Sequence, residues 1–130
     1  MKTLLLIRGL PGCGQESLAK RICYLSGAER FEADGSTVRW DSRRLEDIQR
    51  QTYHCALHAA NSNDVVVSGT FIARRHVMPY VRAAREGRFD LFIKECMDVN
   101  LDESAPAYVM KWMRANYWHS QEEPGLKYYV

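Results

Sequence analysis

The sequence has no hydrophobic run long enough to cross a bilayer, no paired cysteines and no excess of charge of one sign, and each lack removes a class of protein. The apolar run from Leu4 to Ile7 is four residues long and leads into glycines, whereas a membrane helix needs about 20 residues. No cleavage region follows it, so no export is implied and a cytoplasmic protein without membrane contact is expected. Cys13, Cys23, Cys55 and Cys96 stand singly, without the C-x-x-C pairs of zinc sites or the density of a secreted disulfide scaffold, and read as reduced thiols. Eighteen Lys and Arg against sixteen Asp and Glu leave a net charge of +2. That balance is too even for a nucleic-acid coat or a membrane surface, so any nucleic-acid contact would be local. No internal repeat, low-complexity tract or linker divides the chain. Its 130 residues, 46% apolar, suffice for one core, so a single domain over 1–130 is expected, with 121–130 as a C-terminal tail.

What is present is an alternation of strands and helices. Thr3 to Ile7 is continuously apolar and bounded by Gly9, the pattern of a strand buried on both faces of a parallel sheet. Leu18, Ile22 and Leu25 recur at helical spacing before Gly27, placed as a left-handed C-cap. A weak strand near Glu29 to Ala33 ends at Asp34-Gly35. A second helix starts at Asp41 or Ser42 and continues through Ala60. Val65-Val66-Val67 is the most β-prone triplet. A third helix is expected from about Arg75 to Glu86, with Pro79 tolerable only near its first turn and Gly87 ending it. Phe89 to Glu95 makes another strand, Pro106 opens a last helix bearing Met110, Trp112 and Met113, and Pro124-Gly125 marks a turn. The fold class is therefore α/β: a small parallel sheet flanked by helices with right-handed crossovers, with ligands expected beyond the carboxyl ends of the strands.

Between the first strand and the first helix lies Gly9-Leu10-Pro11-Gly12-Cys13-Gly14, with glycines spaced as in the phosphate-binding pattern G-x-x-x-x-G-K-[ST]. Such a loop can surround an anion with main-chain N–H groups and the positive end of a helix dipole, independently of side chains. The pattern's lysine is replaced by Gln15 and its magnesium-binding hydroxyl by Glu16, while Ser17 keeps a hydroxyl one place later. Gln15 can donate a hydrogen bond but cannot neutralise charge. Loss of one preorganised charge stabiliser costs on the order of a hundredfold to a thousandfold in rate, about 3–4 kcal/mol. Glu16 can repel phosphate or, with Ser17, hold Mg²⁺ as a hard ligand. Two readings of the loop stand: nucleotide binding through Gly9, Pro11, Gly12, Cys13, Gly14, Gln15, Glu16 and Ser17, or a tight strand-to-helix connection and nothing more.

The segment Leu4 to Gly14 closely resembles the start of polynucleotide kinase-like P-loop proteins, a family with phage and bacterial members. The likeness continues through Phe31-Glu32-Ala33-Asp34, Trp40-Asp41, Val65 to Phe71 and Met78-Pro79-Tyr80. The resemblance implies a P-loop kinase fold, ATP or another nucleotide as cofactor with Mg²⁺, and a nucleic-acid end as acceptor. It also implies that Asp34 is the general base on the acceptor hydroxyl, although an Asp before Gly is equally a routine turn residue. Thr70, Arg74 and Arg75 would face the same cleft and help to bind the acceptor. In the family a lid after the fourth strand brings arginines to the transferring phosphate. Here Glu95 to Met110 contains no Lys or Arg and four acidic residues, so a shortened lid without its positive charge is expected; Arg8, Arg74 or Arg114 could substitute, though nothing in the sequence shows that they do.

His54 and His58, four apart beside Cys55, have helical metal-ligand spacing but no evident third ligand. The aromatic end of the chain, including Trp112, Tyr117 and Trp118, is expected to pack mostly on the core, and any exposed part is a candidate partner surface. Three functions compete: a catalytically degenerate nucleotide-binding protein acting through a partner, an active kinase of a polynucleotide 5′-hydroxyl or nucleoside, and an interaction or inhibitor protein that binds no nucleotide.

Overall fold

The computed structural model describes residues 1–33, 42–96, 107–120 and 123–128. Its elements are β1 (Thr3–Arg8), α1 (Gln15–Ser26), β2 (Glu29–Glu32), α2 (Ser42–Ala59), β3 (Val65–Gly69), α3 (Arg74–Arg85), β4 (Asp90–Glu95) and α4 (Ala107–Asn116). The strands form one parallel sheet in the order β2-β3-β1-β4. β1 lies inside the sheet and is covered on both faces, which is why Leu4 to Ile7 is uniformly apolar. Leu5, Ile7 and Val66 point towards α1, meeting Ala19, Leu18 and Ile22. Leu4, Leu6, Val65 and Val67 point the other way, into the larger core with Ala56 of α2 and Val77 and Val81 of α3.

Several boundaries agree with the sequence reading. Gly27 caps α1 in the left-handed conformation, φ 77°, its N–H bonded to the Cys23 carbonyl. Gly87, φ 80°, ends α3: its N–H reaches the Ala84 carbonyl at 3.0 Å and that of Arg88 the Ala83 carbonyl at 3.1 Å, the paired bonds of a Schellman cap. Others differ. Leu25, in the last turn of α1 at the edge of the inward stripe, is 76% exposed. Pro79 lies in the second turn of α3 rather than the first, so it cannot donate to the Arg75 carbonyl. The end of the chain adds an edge contact to the sheet: Tyr128 bridges Ile93 in parallel, and the Ile93 N–H bonds the Lys127 carbonyl at 2.9 Å. Pro106 and Asp41 lie outside the described residues.

The largest fully buried side chain is a cation, Arg8. The parallel register sets it opposite Glu95 at the end of β4, and Nη1 meets Glu95 Oε1 at 3.0 Å and the Trp118 carbonyl at 2.8 Å. Nε and Nη2 bond the Phe71 carbonyl at 3.1 and 2.6 Å, and the guanidinium stacks 4.2 Å from the Tyr117 ring centre. Glu95 is held in turn by the Tyr117 hydroxyl at 2.6 Å and by Ser120. Burial, and the bond to Glu95, push the Tyr117 hydroxyl well above its ordinary range. Phe71 carries a positive φ of 47°, uncommon for a residue with a side chain and unfavourable by roughly 1–2 kcal/mol; its carbonyl, so turned, receives two Arg8 donors. Removing one member of a buried ion pair costs about 3–5 kcal/mol, whereas replacing both with apolar groups is often near neutral. Arg8→Met should therefore destabilise the fold by about that amount and Arg8→Met with Glu95→Met by less, read as urea midpoints; equal losses would show the pair to be uncoupled.

Candidate functional site

The carboxyl end of β1 delivers the chain to the glycine loop. Gly9 is required by packing: a Cβ there would lie 2.6 Å from the Cys96 carbonyl oxygen and 3.1 Å from Cys96 Cβ. Gly12 and Gly14 are required by backbone conformation, with φ 84° and 85°. The Cys13 N–H closes a turn on the Leu10 carbonyl at 3.1 Å, and the Leu18 N–H opens the helical ladder on the Gly14 carbonyl at 3.0 Å. Gly14 is thus the N-cap of α1, and no side chain caps it. The first N–H groups of a helix have no intrahelical acceptor, so the turn aims donors and the positive helix end at the space before α1.

Gln15 turns the other way. Its carboxamide is buried and Nε2 donates to the Gly9 carbonyl at 3.0 Å and the Leu10 carbonyl at 3.2 Å. The side chain at the lysine position therefore braces the carbonyl side of the loop and brings no charge. Glu16 pairs with Lys20 one turn on, at 2.9 Å, with both side chains about half exposed. Ser17 is exposed, and Pro11 and Cys13 are buried. Glu32, at the end of β2, has its carboxyl pushed up, first by burial and then by the Glu16 carboxylate, against the pull of Arg30 and Lys20. Two carboxylates therefore influence one another beside the loop. α4 lies over it on the other side: Leu10 packs with Ile72, Met113 and Met110.

Asp34 and the lid segment 97–106 lie outside the described residues. Thr70 is buried. Arg74 donates through Nε and Nη2 to Glu123 at 3.2 and 3.0 Å. Arg75 donates to Glu46 at 2.8 Å, and Glu46 also receives the His76 ring at 2.8 Å. Arg8 is committed to the buried network above and is unavailable as a lid substitute. Arg114 is exposed on α4. Among the described residues no group of three His, Cys, Asp or Glu side chains could hold a metal, so His54, Cys55 and His58 gain no third ligand there. Nor is any described helix long and apolar enough to cross a membrane. Sequence reasoning missed two things: the structural use of Arg8, hidden because the register that sets it against Glu95 is a tertiary fact, and the inward turn of Gln15.

No family model and no curated protein matches the chain. Solved structures do. A sugar kinase from Janibacter sp. HTCC2649 superposes with a TM-score of 0.74 at 13% identity, over 100% of this chain and 84% of that one. Chaetomium thermophilum Kti12 in complex with ADP-AlF3 gives 0.66 at 11%, over 98% and 88%. A chain of the Pnkp1/Rnl/Hen1 complex gives 0.59 at 17%, over 95% of this chain and 42% of that one. At these identities the likeness is one of fold: the chain has the small α/β architecture of P-loop kinases, a parallel sheet flanked by helices.

Two carboxyls at the edges of this region should titrate with opposite effects on stability. Burial raises the Glu46 carboxyl, but hydrogen bonds from His76 and Arg75 outweigh it and leave the group below its ordinary range. Its stabilising contribution is present above the unfolded value, about 4.3, and is lost as pH falls through the lowered folded value. Glu32, raised, is an unfavourable charge above its folded value and is relieved as pH falls. Glu46→Gln should lower the denaturation midpoint near neutrality, by less than about 1 kcal/mol because the pair is half exposed. Glu32→Gln should raise it, and both differences should shrink on acidification. Urea titrations near neutrality and in acid check both signs.

Proposed function

We propose that this chain is a nucleotide-binding protein of P-loop kinase fold in which phosphoryl transfer has degenerated, resembling polynucleotide kinases in ancestry and acting through a bound partner. The observation that carries the reading is the division of labour within the loop. Gly12 and Gly14 keep the left-handed turns that lead to an uncapped helix N-terminus, the element that receives phosphate. Gln15, at the position of the charge-bearing side chain, is neutral and bonded to the loop's own carbonyls. Anion affinity through main-chain donors is retained in this arrangement, while the charge that stabilises a transferring phosphate is missing. Glu16 and Glu32 add negative potential beside the loop, so binding is expected to be weak and helped by Mg²⁺. The proposed ligand set is Gly9, Pro11, Gly12, Cys13, Gly14 and Gln15, with Glu16 and Ser17 towards the metal ion and Asp34, Arg74 and Arg75 towards an acceptor. A protein partner is the natural outlet for such a fold, and Tyr108 and Trp112, 75% and 55% exposed on α4 above the loop, offer the aromatic contact surface that interfaces favour.

Titration calorimetry with ATP and ADP, each with and without Mg²⁺, tests the reading. Saturable binding at one site, tightened at least about tenfold by Gln15→Lys with Glu16→Ser through a charge-assisted bond, is the expected result. Absence of heat from the folded protein under all four conditions would remove nucleotide binding. Efficient Mg²⁺-dependent transfer to a polynucleotide 5′-hydroxyl would remove the degeneracy.

A further inference from the structure

We propose that the groove between α2 and α3 is a second binding site, which takes an extended peptide segment presenting an acidic side chain. The groove has a volume of about 390 Å³, and no residue of the glycine loop lines it. That volume lies at the lower end of the range, about 300–1,000 Å³, in which proteins hold discrete ligands. Its α2 wall carries Gln49 and Arg50, its α3 wall Arg75 and Arg82, with Glu46 and Glu86 also bordering it.

The central observation is Gln49. The residue is 5% exposed, and neither its Nε2 nor its Oε1 has a hydrogen-bond partner. A buried carboxamide left unpaired is costly and rare. A carboxamide offers one donor face and one acceptor face side by side, the complement of a peptide group's C=O and N–H. The neighbouring α3 backbone is similarly incomplete, because Pro79 lines the same groove and has no N–H for the Arg75 carbonyl.

Charge selects the rest of the ligand. Arg75 is engaged by Glu46, and Arg50 by Asp47 on its own helix. Arg82 has no ion pair among the described residues. One uncommitted guanidinium beside an unpaired carboxamide suits a single carboxylate next to a main-chain amide. A nucleic-acid strand, with a phosphate at every residue, would have to pass both Glu46 and Glu86. The same helix already makes a contact of the proposed kind outside the groove: Arg74, at its start, clamps the carboxylate of Glu123, which comes from a segment 49 positions away.

The test uses the full chain, ¹⁵N-labelled, and follows the side-chain amide of Gln49 and the Nε resonance of Arg82 during titration with N-acetyl-Gly-Glu-Gly-amide, its Gln counterpart and AMP. Saturable shifts of both resonances are expected with the acidic peptide, with at least about tenfold weaker binding for the neutral one. Gln49→Leu should raise the urea midpoint and yet abolish binding, and Arg82→Gln should weaken binding about tenfold without altering the fold. Unmoved resonances, equal shifts with the neutral peptide, tighter binding of AMP, or full binding by Gln49→Leu would each overturn the proposal. Because the readout is the side chains of Gln49 and Arg82, outside the glycine loop, the peptide result is independent of whether a nucleotide binds there.

Discussion

The geometry of this chain hangs on a guanidinium buried at the end of the first strand. Arg8 collects acceptors from three remote segments: the Phe71 carbonyl after β3, the Glu95 carboxylate at the end of β4 and the Trp118 carbonyl after α4. A buried cation is tolerable only if its donors are satisfied, so each of those segments is held where Arg8 needs it. The consequences spread outward. Phe71 is kept in a conformation it would not otherwise favour, and the chain beyond α4 returns to the edge of β4, where Tyr128 also bonds Ser120 at 3.1 Å. The glycine loop begins one residue after Arg8, so its starting point is fixed by the same contact.

Within that frame the loop separates shape from charge. Gly9 is explained by the approach of Cys96 alone, without reference to any ligand. Gly12 and Gly14 are explained by their dihedral angles, which produce a turn ending in unsatisfied helix donors. What makes such a turn useful for chemistry is the side chain that follows, and here Gln15 spends its donor on the loop itself. The hydrogen bonds to Gly9 and Leu10 rigidify the turn while leaving it short of one positive charge. The interactions that maintain the form of this loop do not involve phosphate.

Arginines other than Arg8 lie at the surface of α3. Arg74 and Arg75, at the start of α3, are each held by a carboxylate on another segment, and Arg82 lies further along the same helix. Arg75 and Arg82 border the groove between α2 and α3 that also holds the unpaired carboxamide of Gln49. Such a setting suits recognition of a carboxylate-bearing segment better than electrostatic stabilisation of a phosphoryl group, which needs several cations converging on one point.

The sequence by itself determined the order and kind of the elements. Short apolar runs at Leu4 to Ile7 and Val65 to Val67, the latter β-branched throughout, read as buried strands, and glycines at 27 and 87 end helices because left-handed residues there carry no Cβ penalty. It also determined the loop's glycine spacing and its missing lysine, since both are matters of residue identity. Tertiary structure alone decided where the polar side chains went. Arg8 reads as a spare cation until the parallel register places Glu95 opposite it, Gln15 reads as a weakened phosphate ligand until its carboxamide lies on the loop carbonyls, and the burial of Gln49 beside the groove of α2 and α3 has no signal in the sequence. Local pattern fixes which face of an element is apolar; the partner of a buried polar group comes from a segment distant in the chain, and only packing brings the two together.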